Sequence, residues 1–293
     1  MENSKYTIGE SFKYCRDLTY SNAKNFYFSF LFLPKHLRDA IYTVYGFCRI
    51  ADDIADDEQN DIATKQKQFL EFDNMFEKCF SNAEIDDKMF TALQFVVKKY
   101  ELSKEHLYDI VKGVRSDLFK THYETFAELY DYCFKVASKV AYVCIELFVP
   151  KSERTADLFK YGENLGIALQ LTNILRDIKE DHSKKRRYIP KEWLKKFGMD
   201  ENEYEKYLEC NDIEKLNPLL SFIKNLAENY YSECEKHINK PQKKYLFTLE
   251  IIKNIYYELL KKISYDYNSI LNGRISLSFY FKLWTALKIK LFL

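Results

Sequence analysis

Helix breakers are scarce: 293 residues hold 7 glycines and 5 prolines, and no Pro/Gly/Ser-rich stretch divides them. The missing linker favours a single domain over residues 1–293. Long uninterrupted stretches of Lys, Glu, Leu, Ile, Tyr and Phe at three-four spacing predict an all-α fold. Net charge is missing too. Lys plus Arg (45) nearly cancels Asp plus Glu (44), so no overall field draws in nucleic acid, which is not an expected partner. The 7 cysteines include no CxxC pair; Cys48 and Cys133 sit among apolar helix positions, as reduced core residues of an intracellular protein do. The 5 histidines show neither HxxxH nor HxH spacing, which leaves a zinc site without support. Met1–Tyr6 has no apolar signal core, and no run approaches the roughly 20 apolar residues that span a bilayer. A cytoplasmic location is therefore expected. No GxGxxG fingerprint occurs, although an all-helical protein need not use that fold to bind a dinucleotide.

Apolar residues, by contrast, are plentiful. At 47% hydrophobic the chain has ample material for a core, and 24 Tyr with 23 Phe bring the aromatic share to 17%. Most of these serve as ordinary core residues, but their ring faces also attract cations and can line a tunnel for a long hydrocarbon. Residues 278–293 interleave Phe279, Tyr280, Phe281, Leu283, Trp284, Leu287, Ile289, Leu291, Phe292 and Leu293 with Lys282, Lys288 and Lys290. That pattern fits either a last helix docked on the core or an interfacial helix in peripheral membrane contact.

Two acidic clusters, Asp52-Asp53-Ile54-Ala55-Asp56-Asp57 and Asp177-Ile178-Lys179-Glu180-Asp181, stand about 125 residues apart. Residues four apart on a helix share a face at about 6 Å, so Asp52/Asp56, Asp53/Asp57 and Asp177/Asp181 are stacked carboxylates. Each pair repels by roughly 0.2–0.5 kcal/mol in water and by more when sheltered. A cation between them relieves this. Mg²⁺ suits the place, because it takes one or two carboxylates, keeps several waters and completes its shell with phosphate oxygens.

An acidic run is ordinarily a solvated helix face, but the phase of each cluster tells against that. The stripe Leu37, Ile41, Tyr45, Cys48 runs on to Asp52 and Asp56, which puts the carboxylates on an inward face. From Tyr161 to Asp181 the chain is apolar around most of its circumference except along one line: Gly162, Gly166, Gln170, Asn173, Asp177, Asp181. Buried polar groups need partners, and glycine weakens a helix by roughly 1 kcal/mol. The seam therefore reads as the wall of a polar cavity whose ligand supplies the partners. Arg49 precedes the first cluster, Arg176 adjoins the second, and Lys184–Arg187 follow it. Carboxylates for a metal and basic side chains for phosphate oxygens are what departure of a diphosphate needs, since the leaving group gains negative charge. The basic loop reads as a phosphate-covering flap, or more plainly as a solvated tether.

Residues 1–33 open as a polar lead. Helices are expected from Pro34 to about Asp57, over 61–81, 86–100, 104–120 with Asp117, 125–149 with Tyr132, 153–181, 201–210 and 214–238, and from Pro241 through Tyr256 to about Asn268.

Ala40–Asp57 and Gln170–Asp181, followed by Arg187-Tyr188-Ile189-Pro190, closely resemble the two signatures of the squalene/phytoene synthase family, the head-to-head trans-isoprenyl diphosphate synthases. Tyr132–Ala137 with Asp117 resembles that family's central motif, and Tyr256 with Arg274 its C-terminal one. The resemblance implies an all-α, single-domain isoprenoid synthase fold with helices around a central cavity, and Mg²⁺ as cofactor. It implies prenyl diphosphate substrates, two identical farnesyl (C15) or geranylgeranyl (C20) diphosphates, joined through a cyclopropyl presqualene- or prephytoene-type diphosphate. NADPH enters only where the last cation is quenched to squalene; that choice stays open, as does the oligomeric state. Position by position, the resemblance implies Asp52, Asp56, Asp177 and Asp181 as metal ligands, with Asp53 and Asp57 as weaker ones. It implies Tyr45, Arg49, Asp117, Gln170, Asn173, Arg176, Tyr188, Tyr256 and Arg274 as substrate-binding residues. Tyr132 falls near the cation and in the path of proton removal, a task the diphosphate itself can equally perform.

Departures from the family pattern bear on product length more than on reaction class. Ala23 stands where many relatives have Ser, and Ser138 and Ala141 replace two glycines of the central motif, which is expected to narrow or reshape the tunnel. Bulky Phe30 and Tyr42 favour C15 substrates and a C30 squalene- or dehydrosqualene-type product over phytoene. Two other readings remain at this point: a class I cyclase or head-to-tail elongase, and a non-catalytic helical assembly or binding factor. The last should have shed carboxylates that are destabilising without a metal.

Overall fold

A computed structural model describes residues 5–22, 27, 29–81, 83–273 and 275–292. Helices account for 79% of the chain, and among the described residues there is no strand, only an isolated bridge between His122 and Arg187. In order they are α1 (Ile8–Asn22), α2 (Lys35–Asp56), α3 (Ile62–Cys79), α4 (Lys88–Tyr100), α5 (Lys104–Ser116), α6 (Phe126–Cys133), α7 (Lys139–Phe148) and α8 (Ala156–Arg176). There follow α9 (Ile178–Ser183), α10 (Lys191–Lys196), α11 (Glu201–Glu209), α12 (Ile213–Cys234), α13 (Lys240–Tyr245), α14 (Phe247–Tyr265), α15 (Asn268–Asn272) and α16 (Phe279–Phe292).

Helix α8 is the hub. Its buried Leu158, Tyr161, Leu165, Ile167, Leu171 and Leu175 point all round it, against α6, α7, α12 and α14, as its mostly apolar circumference requires. Thr155 starts it by accepting the Leu158 N–H. Asp61, Asp87, Ser103 and Thr125 cap α3 to α6 in the same way, each worth about 1 kcal/mol.

Several elements differ from the sequence expectation. Helix α1 forms within the supposed lead because its inward face is Ser11, Cys15 and Thr19, small residues that pack on α2 and α4 without making an apolar stripe. The helix expected over 125–149 is interrupted by a π-helical turn at Phe134–Ser138, and the one expected over 153–181 breaks at Asp177 (φ −101°, ψ 10°). The ladder survives that break: the Asp177 N–H donates to Asn173 O at 2.8 Å and the Asp181 N–H to Asp177 O at 2.8 Å.

The glycine half of the polar seam is packing, not cavity wall. A Cβ at Gly166 would lie 2.3 Å from Ser138 N and 2.4 Å from its Cα, and one at Gly162 would lie 3.0 Å from Ile145 Cδ1. The two glycines let α8 cross the π-helical turn and α7 at close range. Ser138 fits there and donates its hydroxyl to Glu163 O at 2.8 Å, so the crossing stays tight although the motif glycine is replaced. Phe30 and Tyr42 are buried against each other, ring centroids 6.0 Å apart. Ala23 lies outside the described residues.

Helix α16 docks along α14, with Ala286 against Ile251 and Ile255 and with Phe32 and Ile289 alongside. No helix among the described residues is long and apolar enough to cross a membrane.

Candidate active site

The fully buried stripe of α2 is Ala40, Val44, Phe47, Ala51 and Ala55. Tyr45, Cys48, Asp52 and Asp56 run beside it and are half-buried or exposed, so the carboxylates stand at the edge of the core. Lys65 Nζ donates to Ala55 O at 2.9 Å and ties down the end of α2 that carries them. Opposite, the lower half of the α8 seam continues through the Asp177 break into α9. Between these walls lies a cavity of about 300 Å³, lined by Asp52, Asp56, Asp117, Tyr132, Gln170, Asn173, Arg176, Asp177, Asp181, Arg186 and Tyr188 together with Ala55, Val114 and Ile174.

Carboxylates crowd this space. Burial, then the neighbouring Asp56, pushes the Asp52 carboxyl up to about 7. Burial and Asp177 raise Asp181 to about 7. Burial raises Asp117 to about 6, against the opposing pull of Arg186 and two phenols. Those phenols belong to Tyr132 and Tyr188, which donate to the two oxygens of Asp117 at 3.0 and 3.3 Å. Their rings stack at 5.2 Å, and Tyr123 stacks on Tyr188 at 5.9 Å. Two arginines supply positive charge: Arg176 grips Asp177 by a fork, with Nε to Oδ1 at 2.7 Å, and Arg186 reaches Asp56 at 2.8 Å. Asn173 Oδ1 is buried in the wall with no hydrogen-bond donor.

This donor set fits Mg²⁺. Hard carboxylate oxygens whose ionisation is opposed by burial and by one another, beside an unmatched amide oxygen, lack the positive charge a divalent cation brings. Among the described residues no three His, Cys, Asp or Glu side chains converge as a metal cage. Carboxylates on facing walls instead suit an ion that keeps waters and phosphate oxygens in its shell.

Other residues singled out from the sequence stand apart from the cavity wall. Arg49 and Asp53 pair with each other on the flank of α2, and Tyr45 lies along the same helix. Asp57 ends α2 and accepts from Gln59 N and Asn60 Nδ2 in the following turn. Tyr256 reaches the site indirectly, through a hydrogen bond with Arg176. Arg274 lies outside the described residues. The basic loop is divided: Arg186 enters the cavity, Arg187 is buried against Glu201 at 2.8 Å, and Lys184 pairs with Glu180. Arg186 is the charged wall residue that sequence reasoning did not single out, its signal only membership of a run of four basic residues; apolar Val114 gave no signal at all.

The squalene/phytoene synthase family model matches residues 21–280. Over 261 residues the chain is 31% identical to a 4,4'-diapophytoene synthase of Staphylococcus haemolyticus, covering 88% of each chain. Over 248 residues it is 30% identical to a 15-cis-phytoene synthase of Synechococcus elongatus, covering 80% of this chain and 77% of that one. A crystal structure of a dehydrosqualene synthase in complex with ligand superposes with a TM-score of 0.82 at 28% identity, covering 97% of both chains. On the family match, these relatives and the shared all-α fold, the chain belongs to the squalene/phytoene synthase family of prenyltransferases.

Proposed function

We propose that this enzyme joins two molecules of farnesyl diphosphate head to head into a C30 squalene- or dehydrosqualene-type hydrocarbon. The observation that carries the reading is the convergence of Asp52 and Asp56, Asp177 and Asp181, and two arginines on one cavity. The four aspartates would hold Mg²⁺, with Asp53 on the flank as a further ligand; once bound, the metal offsets the charge that develops on the departing diphosphate. Arg176 and Arg186 exchange their carboxylate partners for diphosphate oxygens, and Gln170 and Asn173 orient the substrate from the same wall. Arg49, Tyr45 and Tyr256 complete the grip from outside the cavity wall, and the family resemblance adds Arg274 as a further diphosphate contact.

When the first C–O bond breaks, its electron pair leaves with the diphosphate. C1 of the allylic cation is then attacked by the C2–C3 alkene of the second molecule, and loss of a proton closes the cyclopropane. Tyr132 and Tyr188 line the cavity and would offer aromatic surface to the positive charge, with Tyr123 packed behind Tyr188. The Tyr132 hydroxyl lies in the path of that proton, taking it up as its own passes to the Asp117 carboxylate to which it donates; the released diphosphate is the other acceptor. The shorter substrate is favoured by the likeness to a 4,4'-diapophytoene synthase and a dehydrosqualene synthase; Phe30 and Tyr42 are buried against each other and are not among the residues lining the cavity. A C20 substrate is the second reading, favoured by the phytoene synthases among the relatives.

The test is incubation of purified protein with Mg²⁺ and either farnesyl or geranylgeranyl diphosphate, with and without NADPH, followed by mass analysis of the hydrocarbon. A C30 product is expected; a C40 product transfers the assignment to the second reading, and no turnover of either refutes both.

A further inference from the structure

Helix α16 turns much of its apolar side away from the core. Tyr280, Trp284, Leu287 and Leu291 are 81, 66, 41 and 81% exposed, whereas its buried residues are Thr285 and Ala286. At 100° per residue the four exposed side chains fall within about 60° of arc, and Lys288 and Lys290 lie about 80° to either side. Both lysines are exposed, Lys290 reaching over the Phe32 ring at 5.1 Å, and α16 contains no acidic residue.

We propose that this face lies flat on an anionic membrane surface, with the Tyr280–Trp284–Leu287–Leu291 stripe in the boundary between headgroups and acyl chains and Lys288 and Lys290 on lipid phosphates. Three features select a bilayer over a protein partner. Trp and Tyr, apolar at one end and polar at the other, suit that boundary. Lysines on both flanks have long flexible stems that bring their charge to a negative surface, Lys290 by leaving the Phe32 ring, whereas a second copy of the helix would set lysine against lysine. The helix as described is not long and apolar enough to cross a membrane, and an apolar aromatic stripe flanked by lysines suits a helix lying in the interface plane. The surface argument is independent of catalysis; its purpose rests on the proposed reaction, whose hydrocarbon product has no aqueous destination.

The test uses the full chain with vesicles of phosphatidylcholine alone or mixed with phosphatidylglycerol, read by flotation. Binding to the mixed vesicles is expected to be roughly tenfold tighter or more, and to weaken with salt. A Trp284→Ser/Leu287→Ser/Leu291→Ser variant with unchanged circular dichroism should lose roughly tenfold or more of that binding. Lys288→Glu/Lys290→Glu should erase the preference for the anionic lipid. The proposal is overturned if the chain floats with neither vesicle, if the serine variant floats as well as the parent, or if the stripe instead holds a dimer that this variant dissociates. Turnover of detergent-dispersed substrate is measured separately, so vesicle binding by an inactive protein supports the surface while refuting the reaction.

Discussion

Replacing Gly166 by alanine tests whether the two halves of the site are held by a backbone-to-backbone crossing. The new Cβ would sit 2.3 Å from Ser138 N, 2.4 Å from Ser138 Cα and 2.5 Å from Ser138 Oγ. Restoring ordinary contact means parting α8 from the π-helical turn by about 1 Å. Overpacking of this kind costs about 1–3 kcal/mol, and more where backbone atoms must move; alanine returns about 1 kcal/mol of helix propensity. With backbone atoms in contact the cost lies at the upper end of that range, and the net loss is about 1–2 kcal/mol. With an unfolding entropy of about 2.1 cal/mol/K per residue, that lowers Tm by about 2–3 °C. Differential scanning calorimetry of the metal-free protein measures it directly. Gln170 and Asn173 lie one and two turns further along α8, so a rise in KM should accompany the loss. Adding Ser138→Gly removes only the Oγ contact and should recover less than half of the stability. A Gly166→Ala protein as stable as the parent, or one fully rescued by Ser138→Gly, would refute the reasoning.

Asp52→Asn and Asp177→Asn are each expected to lower turnover roughly 100-fold or more, with helical circular dichroism unchanged; turnover near the parent's would remove these residues from the proposed roles. The raised carboxyls of Asp52 and Asp181, both about 7, bind protons more tightly in the folded chain than in the unfolded one. Their contribution therefore makes the metal-free protein less stable as pH climbs from about 4 through 7. Mg²⁺ should raise Tm more at pH 8 than at pH 5.5, and equal gains at both would show that these carboxylates do not meet the ion. Tyr188→Phe removes one of two phenols from Asp117 and should raise that carboxyl's pKa further, seen as an upward move of the acidic limb of the activity profile; an unmoved limb would mean that Asp117 does not govern it.

Much of the site was legible because its signals are local. Aspartates four apart, and a polar line on an otherwise apolar helix, place Asp52, Asp56, Gln170, Asn173, Asp177 and Asp181 on walls whatever the rest of the chain does. Gly162 and Gly166 extend the same line yet belong to packing, since a glycine marks close approach of either a ligand or another backbone, and only the position of Ser138 tells which. Helix α1 was hidden because Ser11, Cys15 and Thr19 pack well and make no hydrophobic period. Arg186 and Arg187 are chemically identical neighbours. Their opposite fates are set by Thr121 and Glu201, which no spacing rule links to them. The two roles weighed for residues 278–293 were both drawn from one composition, and which side of α16 touches α14 is a tertiary fact.

The pinning of Arg187 limits how this enzyme family member can change. Its backbone N–H donates to Thr121 O at 2.8 Å and its guanidinium pairs with Glu201, while the residues on either side of it, Arg186 and Tyr188, line the cavity. Shifting the strand of chain by one position would exchange the anchor for a working cation and turn the phenol away. Insertions or deletions between Asp181 and Pro190 should therefore be far less tolerated than ones of equal size in the turn joining α3 to α4, a contrast that a scan of single-residue indels would expose.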